Sequence, residues 1–158
     1  MTRCRILVAI AVLAVLAASP AHALSLFAQW QDSNDAGSAY GLGAKHAFLK
    51  IIPIVDLEGR VSWLHYDSDE VPSSVEAFPL EAVGTVSLGL FYGGLGVGYY
   101  LFSGDVAPDD AVGGFVAGGA SFGLLGVRAF AELRYLLLEP EDADMSGVGV
   151  HVGASLGF

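Results

Sequence analysis

Past its first two dozen residues the sequence has no cysteine, few basic side chains and no long apolar run, and each absence removes a class of protein. The lone cysteine of the 158-residue chain is Cys4. It falls in a stretch that reads as a leader, so the rest of the chain holds no thiol for a disulfide, a thiolate metal site or a lipid anchor. Lysine and arginine total 7 against 17 aspartates and glutamates, for a net charge of −10. Two of the seven are Arg3 and Arg5, which leaves the remainder more acidic still and makes nucleic acid an unsuitable partner. A helix needs about 20 consecutive apolar residues to cross a bilayer. No uncharged apolar run beyond residue 23 approaches that length, since the long uncharged stretch at 82–104 is broken by Thr85, Ser87 and repeated glycines.

The leader itself follows the pattern of an export signal. Arg3 and Arg5 supply a positive start, residues 6–18 are an unbroken apolar run of 13, and Ala21-His22-Ala23 has the small-x-small form that a signal peptidase cuts. The run is too short for a spanning helix. Residues 1–23 are therefore expected to be a cleaved signal peptide, and residues 24–158 a single exported domain.

What is present then looks contradictory. A mean hydropathy of +0.58 and 54% hydrophobic residues suit a membrane protein, yet no spanning helix is available. A transmembrane β-barrel removes the conflict, because its strands alternate lipid-facing and lumen-facing residues and never show a long apolar block. The 21 glycines suit the same architecture. Period-two alternation with turn signals predicts eight strands, at 24–31, 40–49, 54–66, 78–87, 90–102, 112–121, 127–137 and 147–158. Long polar connections (32–39, 67–77, 103–111, 138–146) alternate with tight ones (50–53, 88–89, 122–126), the rhythm of an up-and-down barrel with extracellular loops and periplasmic turns. The fold class expected is all-β: a closed antiparallel transmembrane barrel of eight strands, since an unpaired edge in hydrocarbon would cost several kcal/mol per backbone group.

Charge follows the same division. Of the 17 acids, 13 fall in the long connections, where no lysine or arginine joins them. Asp56, Glu58, Glu81 and Glu132 fall in strands with Lys45, Arg60, Arg128 and Arg134, so the wall is formally neutral. Parity places Asp56, Glu58 and Arg60 on one face of the third strand, opposite Val55, Leu57, Val61 and Trp63. It likewise places Arg128, Glu132 and Arg134 together on the seventh. The charged face shares its parity with Gly94, Gly96, Gly98, Gly147, Gly149, Gly153 and Gly157, the small residues that a narrow concave interior needs. The opposite parity carries Leu95, Val97, Tyr99, Val148, Val150 and Val152, a belt suited to lipid and unsuited to water. Trp30, Tyr40, Trp63, Tyr66, Phe78, Tyr99, Tyr100, Phe102 and Tyr135 collect near the acidic loops and predict an outer aromatic girdle. Phe48, Phe91, Phe122, Phe130 and Phe158 collect at the other end, with Phe130 inside.

The leader, the loop rhythm and the last strand, Gly147-Val-Gly-Val-His-Val-Gly-Ala-Ser-Leu-Gly-Phe158, resemble the small eight-stranded outer-membrane barrels typified by the OmpA membrane domain and OmpX. The resemblance implies a monomer embedded in outer-membrane lipid. It also implies biogenesis through periplasmic chaperones and a β-barrel assembly machinery that reads the terminal Phe158.

Two groups of residues are candidates for function. The first is a lumen charge network of Lys45, Asp56, Glu58, Arg60, Glu81, Arg128, Glu132, Arg134 and His151. Within it Lys45 is expected opposite Glu58, and Arg134 opposite His151. An eight-strand interior is only wide enough for side chains to fill it, so these charges are expected to form a salt-bridged plug, the alternative being a narrow or gated ion path. The second group is the acidic loops, with Asp67, Asp69, Glu70, Asp109, Asp110, Glu139, Glu141, Asp142 and Asp144. They are read as a solvated surface for an external partner that the sequence does not specify, or as a weak divalent-cation contact without the spacing of an EF-hand loop. No other cofactor or metal is expected. A lipid-modifying enzyme is disfavoured, because His65 and Ser68 have opposite parity and cannot form a nucleophile-base pair on a regular strand. A soluble secreted barrel with an internal ligand ranks last. The role expected is structural or surface-interacting.

Overall fold

The computed structural model describes residues 24–67, 75–104, 107–124, 126–140 and 144–156. The expected signal peptide, the terminal Phe158 and the acids Asp69, Glu70, Asp105, Glu141 and Asp142 lie outside the described residues.

Alternating residues build eight antiparallel strands: β1 (Leu24–Ser33), β2 (Gly37–Ile52), β3 (Val55–Asp67), β4 (Val75–Leu88), β5 (Phe91–Ser103), β6 (Ala111–Leu124), β7 (Val127–Leu137) and β8 (Gly147–Leu156). Each pairs with its neighbour in sequence. The sheet closes where β1 pairs with β8, from Leu24 opposite Leu156 to Ser33 opposite Gly147. No backbone edge is left for hydrocarbon to meet.

β1 shows the sorting in its simplest form. Ser25, Phe27, Gln29, Gln31 and Ser33 are buried, while the residues between them are exposed. This inverts a soluble barrel: polar groups are inside and the outer belt is apolar, with Leu42, Leu95, Val112 and Leu133 each more than 60% exposed. Arg60 and Glu132, whose orientation decides the architecture, point inward at 4% and 2% exposure.

The expected glycine role also holds on the concave side. A Cβ at Gly96 would run into the Phe115 ring, and one at Gly153 would meet the rings and side chains of Phe130 and Phe27. The missing side chains make room for aromatic ones reaching across from neighbouring strands.

Three expectations need correction. The first loop is not 32–39: backbone pairing continues through Asp32 opposite Ser38 and Ser33 opposite Gly37, leaving only 34–36 to turn. Polar side chains above a bilayer look like loop in sequence but satisfy their backbone in a ladder as well as apolar ones do. Gly37, at φ +71°, supplies the left-handed conformation that the short turn needs. Second, Tyr66, Tyr100 and Phe102 do not belong to the outer girdle. They are at most 3% exposed and fill the interior, because they share the parity of Arg60 and of Gly96 and Gly98. Trp30, Tyr40, Phe78, Tyr99 and Tyr135 do face outward.

The third correction concerns β2, which was expected to end at 49 before a turn over 50–53 and instead runs on to Ile52. Its pairing with β3 slips between Ala47 and Leu49 and again between Lys50 and Ile52. Uninterrupted alternation from Lys45 would point Leu49 inward and Lys50 outward. The first slip reverses this: Leu49 sits opposite outward Leu57, and Lys50 sits opposite inward Asp56. A bulge is the means by which a strand re-aims a side chain without leaving its ladder.

Candidate functional site

The inward charges form two linked clusters. In the first, the Arg60 guanidinium reaches from β3 to Glu132 on β7, with Nη1 to Oε1 at 2.6 Å and Nη2 to Oε2 at 3.0 Å. Lys45 Nζ lies 3.7 Å from Glu58 Oε2 and 3.9 Å from Glu132 Oε2, above the Phe130 ring at 3.9 Å. Glu58 also accepts a hydrogen bond from Thr85 Oγ1 at 3.2 Å. His151 Nδ1 approaches Glu132 Oε1 at 3.6 Å, and its ring stacks on Phe27 with centroids 4.8 Å apart.

The second cluster is built on Glu81. Arg134 Nη2 donates to Glu81 Oε1 at 2.8 Å and Nη1 to Oε2 at 3.2 Å. Tyr100 Oη donates to the same Oε1 at 2.8 Å and accepts from Arg134 Nη2 at 2.9 Å. The Arg134 guanidinium rests 4.0 Å from the Phe115 ring centre, and Arg60 approaches that ring at 5.9 Å, so Phe115 stands between the two clusters.

Lys45, Arg60 and Arg134 are thus matched one for one by Glu58, Glu81 and Glu132. Bidentate pairing fixes direction as well as charge. Each ion depends on its partner, since a charge stranded in a dry interior costs several kcal/mol.

The expected lumen residues do converge, with altered pairings. Lys45 contacts Glu58, although its register partner is Arg60, because the β2 bulge displaces the count. His151 lies opposite Glu132, and Arg134 lies opposite Gly149. The expectation of Arg134 facing His151 misplaced the last loop by two residues. Asp56 and Arg128 line one cavity at the turn end of the barrel but form no ion pair among the described residues. Sequence reasoning missed Tyr100, Thr85 and Lys50. Parity with Gly98 and Glu81 pointed to the first two, whereas the bulge concealed the third.

Toward the loop end the interior becomes apolar. Leu64, Tyr66, Phe102, Leu136, Leu138 and Met145 are all buried and form one cluster above the charges. Loop residues lock this cover in place. Asn34 N donates to Ser146 O and Asp35 N to Asp144 O, both at 3.0 Å, while Met145 N donates to Leu138 O at 2.9 Å. Asn34 Nδ2 donates to Asp144 Oδ2 at 2.7 Å, and Asp144 N donates to Asp35 Oδ2 at 2.9 Å. The Asn34 amide, joined by Ser146, holds the Asp144 carboxyl below the usual aspartate range.

The remaining loop acids are dispersed. Asp110 Oδ1 accepts from Phe102 N at 2.9 Å, while Asp109 and Glu139 are exposed at their own positions. Among the described residues no three acidic or imidazole groups gather where a metal ion would sit. His65 faces outward, flanked by the rings of Tyr40 and Trp63 and 3.6 Å from Asp67 Oδ1. His46, with outward parity too, is buried at 2% exposure.

No family model matches the chain, and no curated protein matches it in sequence. Solved structures do match in shape. Neisserial surface protein A aligns at 14% identity over 87% of this chain and 97% of its own, with a TM-score of 0.70. Ail, the attachment invasion locus protein of Yersinia pestis, solved with the heparin analogue sucrose octasulfate, aligns at 15% over the same shares with a TM-score of 0.58. At these identities the likeness is one of fold, and the fold is that of the small eight-stranded outer-membrane barrels.

Proposed function

We propose that the protein is a monomeric integral outer-membrane barrel with a sealed lumen, serving as a membrane-embedded platform for its acidic loops and neither as a pore nor as an enzyme. The observation that carries this reading is the Arg60–Glu132 pair, which bridges opposite walls at 2.6 Å beneath a fully buried apolar cover. An ion crossing the barrel would have to break that pair and then pass Leu136, Leu138 and Met145, where nothing replaces its hydration. Glu58 and Glu81 are engaged by Lys45 and Arg134 in the same way, which leaves these buried carboxylates no freedom to act as acid or base on a substrate.

The loops are acidic, so the ligand class seen in the Ail structure, a polysulfated sugar, is not carried over; a cationic partner suits this surface better. Export through cleavage after Ala23 and insertion by chaperones and an assembly machinery belong to the same proposal. Planar-bilayer recording of refolded protein tests the seal: a silent membrane is expected, and resolved single-channel steps would overturn it. Envelope fractionation with boiled and unboiled gels tests the location. A soluble product without a heat-dependent shift in migration would contradict it.

A further inference from the structure

The turn end of the barrel, which the proposed orientation places in the periplasm, is not filled. A cavity of about 230 Å³ opens there, bounded above by Lys45 and Glu58 and at its mouth by Lys50, Asp56 and Arg128. At about 30 Å³ per water molecule it holds several waters' volume. Its remaining polar lining includes Ser25, Ser87 and Ser121, hydroxyl groups able to donate, and Thr85, whose hydroxyl already donates to Glu58.

Charge distinguishes this cup from a mere wet mouth. The deeper network is balanced, with Lys45 held by Glu58 and Glu132. Lys50 and Arg128 then face Asp56, and none of the three forms an ion pair among the described residues. The cup therefore carries one unmatched positive charge, in a chain whose net charge is −10. Lys50 is there only because β2 slips register between Ala47 and Leu49; regular pairing would send it to the lipid face. An irregularity that delivers one lysine to a cavity already holding an arginine is a built feature.

We propose that this cup binds a small oxyanion of the phosphate type, gripped by Lys50 and Arg128 and hydrogen-bonded by the seryl hydroxyls. Such an anion neutralises the excess cation, and both sources at that end of the barrel present it: free phosphate esters and the headgroups of anionic phospholipids. Asp56 faces the site and moderates affinity, so binding is weak and exchangeable.

The test is ³¹P NMR of inorganic phosphate titrated with refolded protein in octyl glucoside micelles, which contain neither phosphorus nor charge. Saturable line broadening is expected. It should fall at least tenfold in K50Q/R128Q, whose altered side chains lie at the exposed mouth and leave the inner pairs intact. D56N removes the opposing carboxylate and should tighten binding by about fivefold. Heat-dependent gel migration verifies that each variant is folded. Doping the micelles with phosphatidylglycerol separates the sources: displacement of free phosphate identifies a headgroup site, and undisturbed binding identifies a solute site. Either result supports the oxyanion cup. Absence of saturable broadening, or equal broadening by K50Q/R128Q, overturns it, and neither outcome depends on whether the lumen conducts.

Discussion

Arg60 on β3 and Glu132 on β7 come from opposite walls of the barrel and meet in a two-pronged ion pair at 2.6 and 3.0 Å. No backbone ladder joins these strands, so the pair, with Lys45–Glu132 and Arg134–Glu81, ties together parts of the sheet that the ladders connect only around the circumference.

Removing one member of that pair should therefore be costlier than removing both. R60A leaves the Glu132 carboxylate buried without its guanidinium partner, and a loss of about 3–5 kcal/mol is expected. R60L combined with E132L should restore most of it. Urea unfolding of protein refolded into lipid vesicles measures both. A double-variant loss equal to the sum of the two single-residue losses would show that the pair has no coupling.

Tyr100 gives a finer test of the second cluster. Y100F deletes one hydroxyl that donates to Glu81 and accepts from Arg134 while leaving the ion pair and the ring in place. A loss of about 1–2 kcal/mol is expected in the same assay. E81A, which strands Arg134, should lose more. If Y100F is silent, the hydroxyl contributes nothing beyond filling space.

Two glycines of opposite parity should respond oppositely to one methyl group. G96A drives a Cβ into the Phe115 ring, and overpacking of about 1–3 kcal/mol follows. Gly84 faces outward, where the nearest atom to an added Cβ is Leu57 Cδ2 at 3.8 Å, so G84A should be neutral or slightly stabilising. Comparable losses in both variants would mean that the concave face is no more crowded than the convex one.

The loop latch should loosen in acid. Asp144 is held below the usual aspartate range by Asn34 and Ser146, so its folded carboxyl binds a proton less readily than the unfolded one. Its contribution is complete above the ordinary aspartate pKa and fades as the pH falls through the depressed folded value. Amide exchange at Asp35 and Ser146, followed from neutral pH to below pH 4, should reveal this loss of protection after correction for intrinsic exchange. N34A should move its onset to higher pH. A pH-independent latch, identical in N34A, would remove Asp144 from its role.

Most of the wall was legible because it depends on a rule applied one residue at a time. The parity of Asp56, Glu58 and Arg60 could be counted along a single strand, and so could that of Gly94, Gly96 and Gly98. Where reading failed, an extra residue or a competing signal intervened. The slips around Leu49 and Lys50 carry no composition mark, since a bulge is a property of two paired strands. Tyr66, Tyr100 and Phe102 were drawn to the girdle by their aromatic character although their parity already placed them inside. Polar Asp32 and Ser38 read as loop because sequence shows side chains and not ladders.

By itself the chain determines which way most strand residues face, the long-short rhythm of the connections and which end bears the acids, because backbone pleating and hydrophobicity act locally. Only closure of the barrel decides that Arg60 meets Glu132, that Arg134 takes Glu81 and Tyr100 in place of His151, and that Lys50 enters a cup. Those partners are set by register summed over several interfaces, where a displacement of two residues in one loop or one bulge re-pairs every charge across the interior.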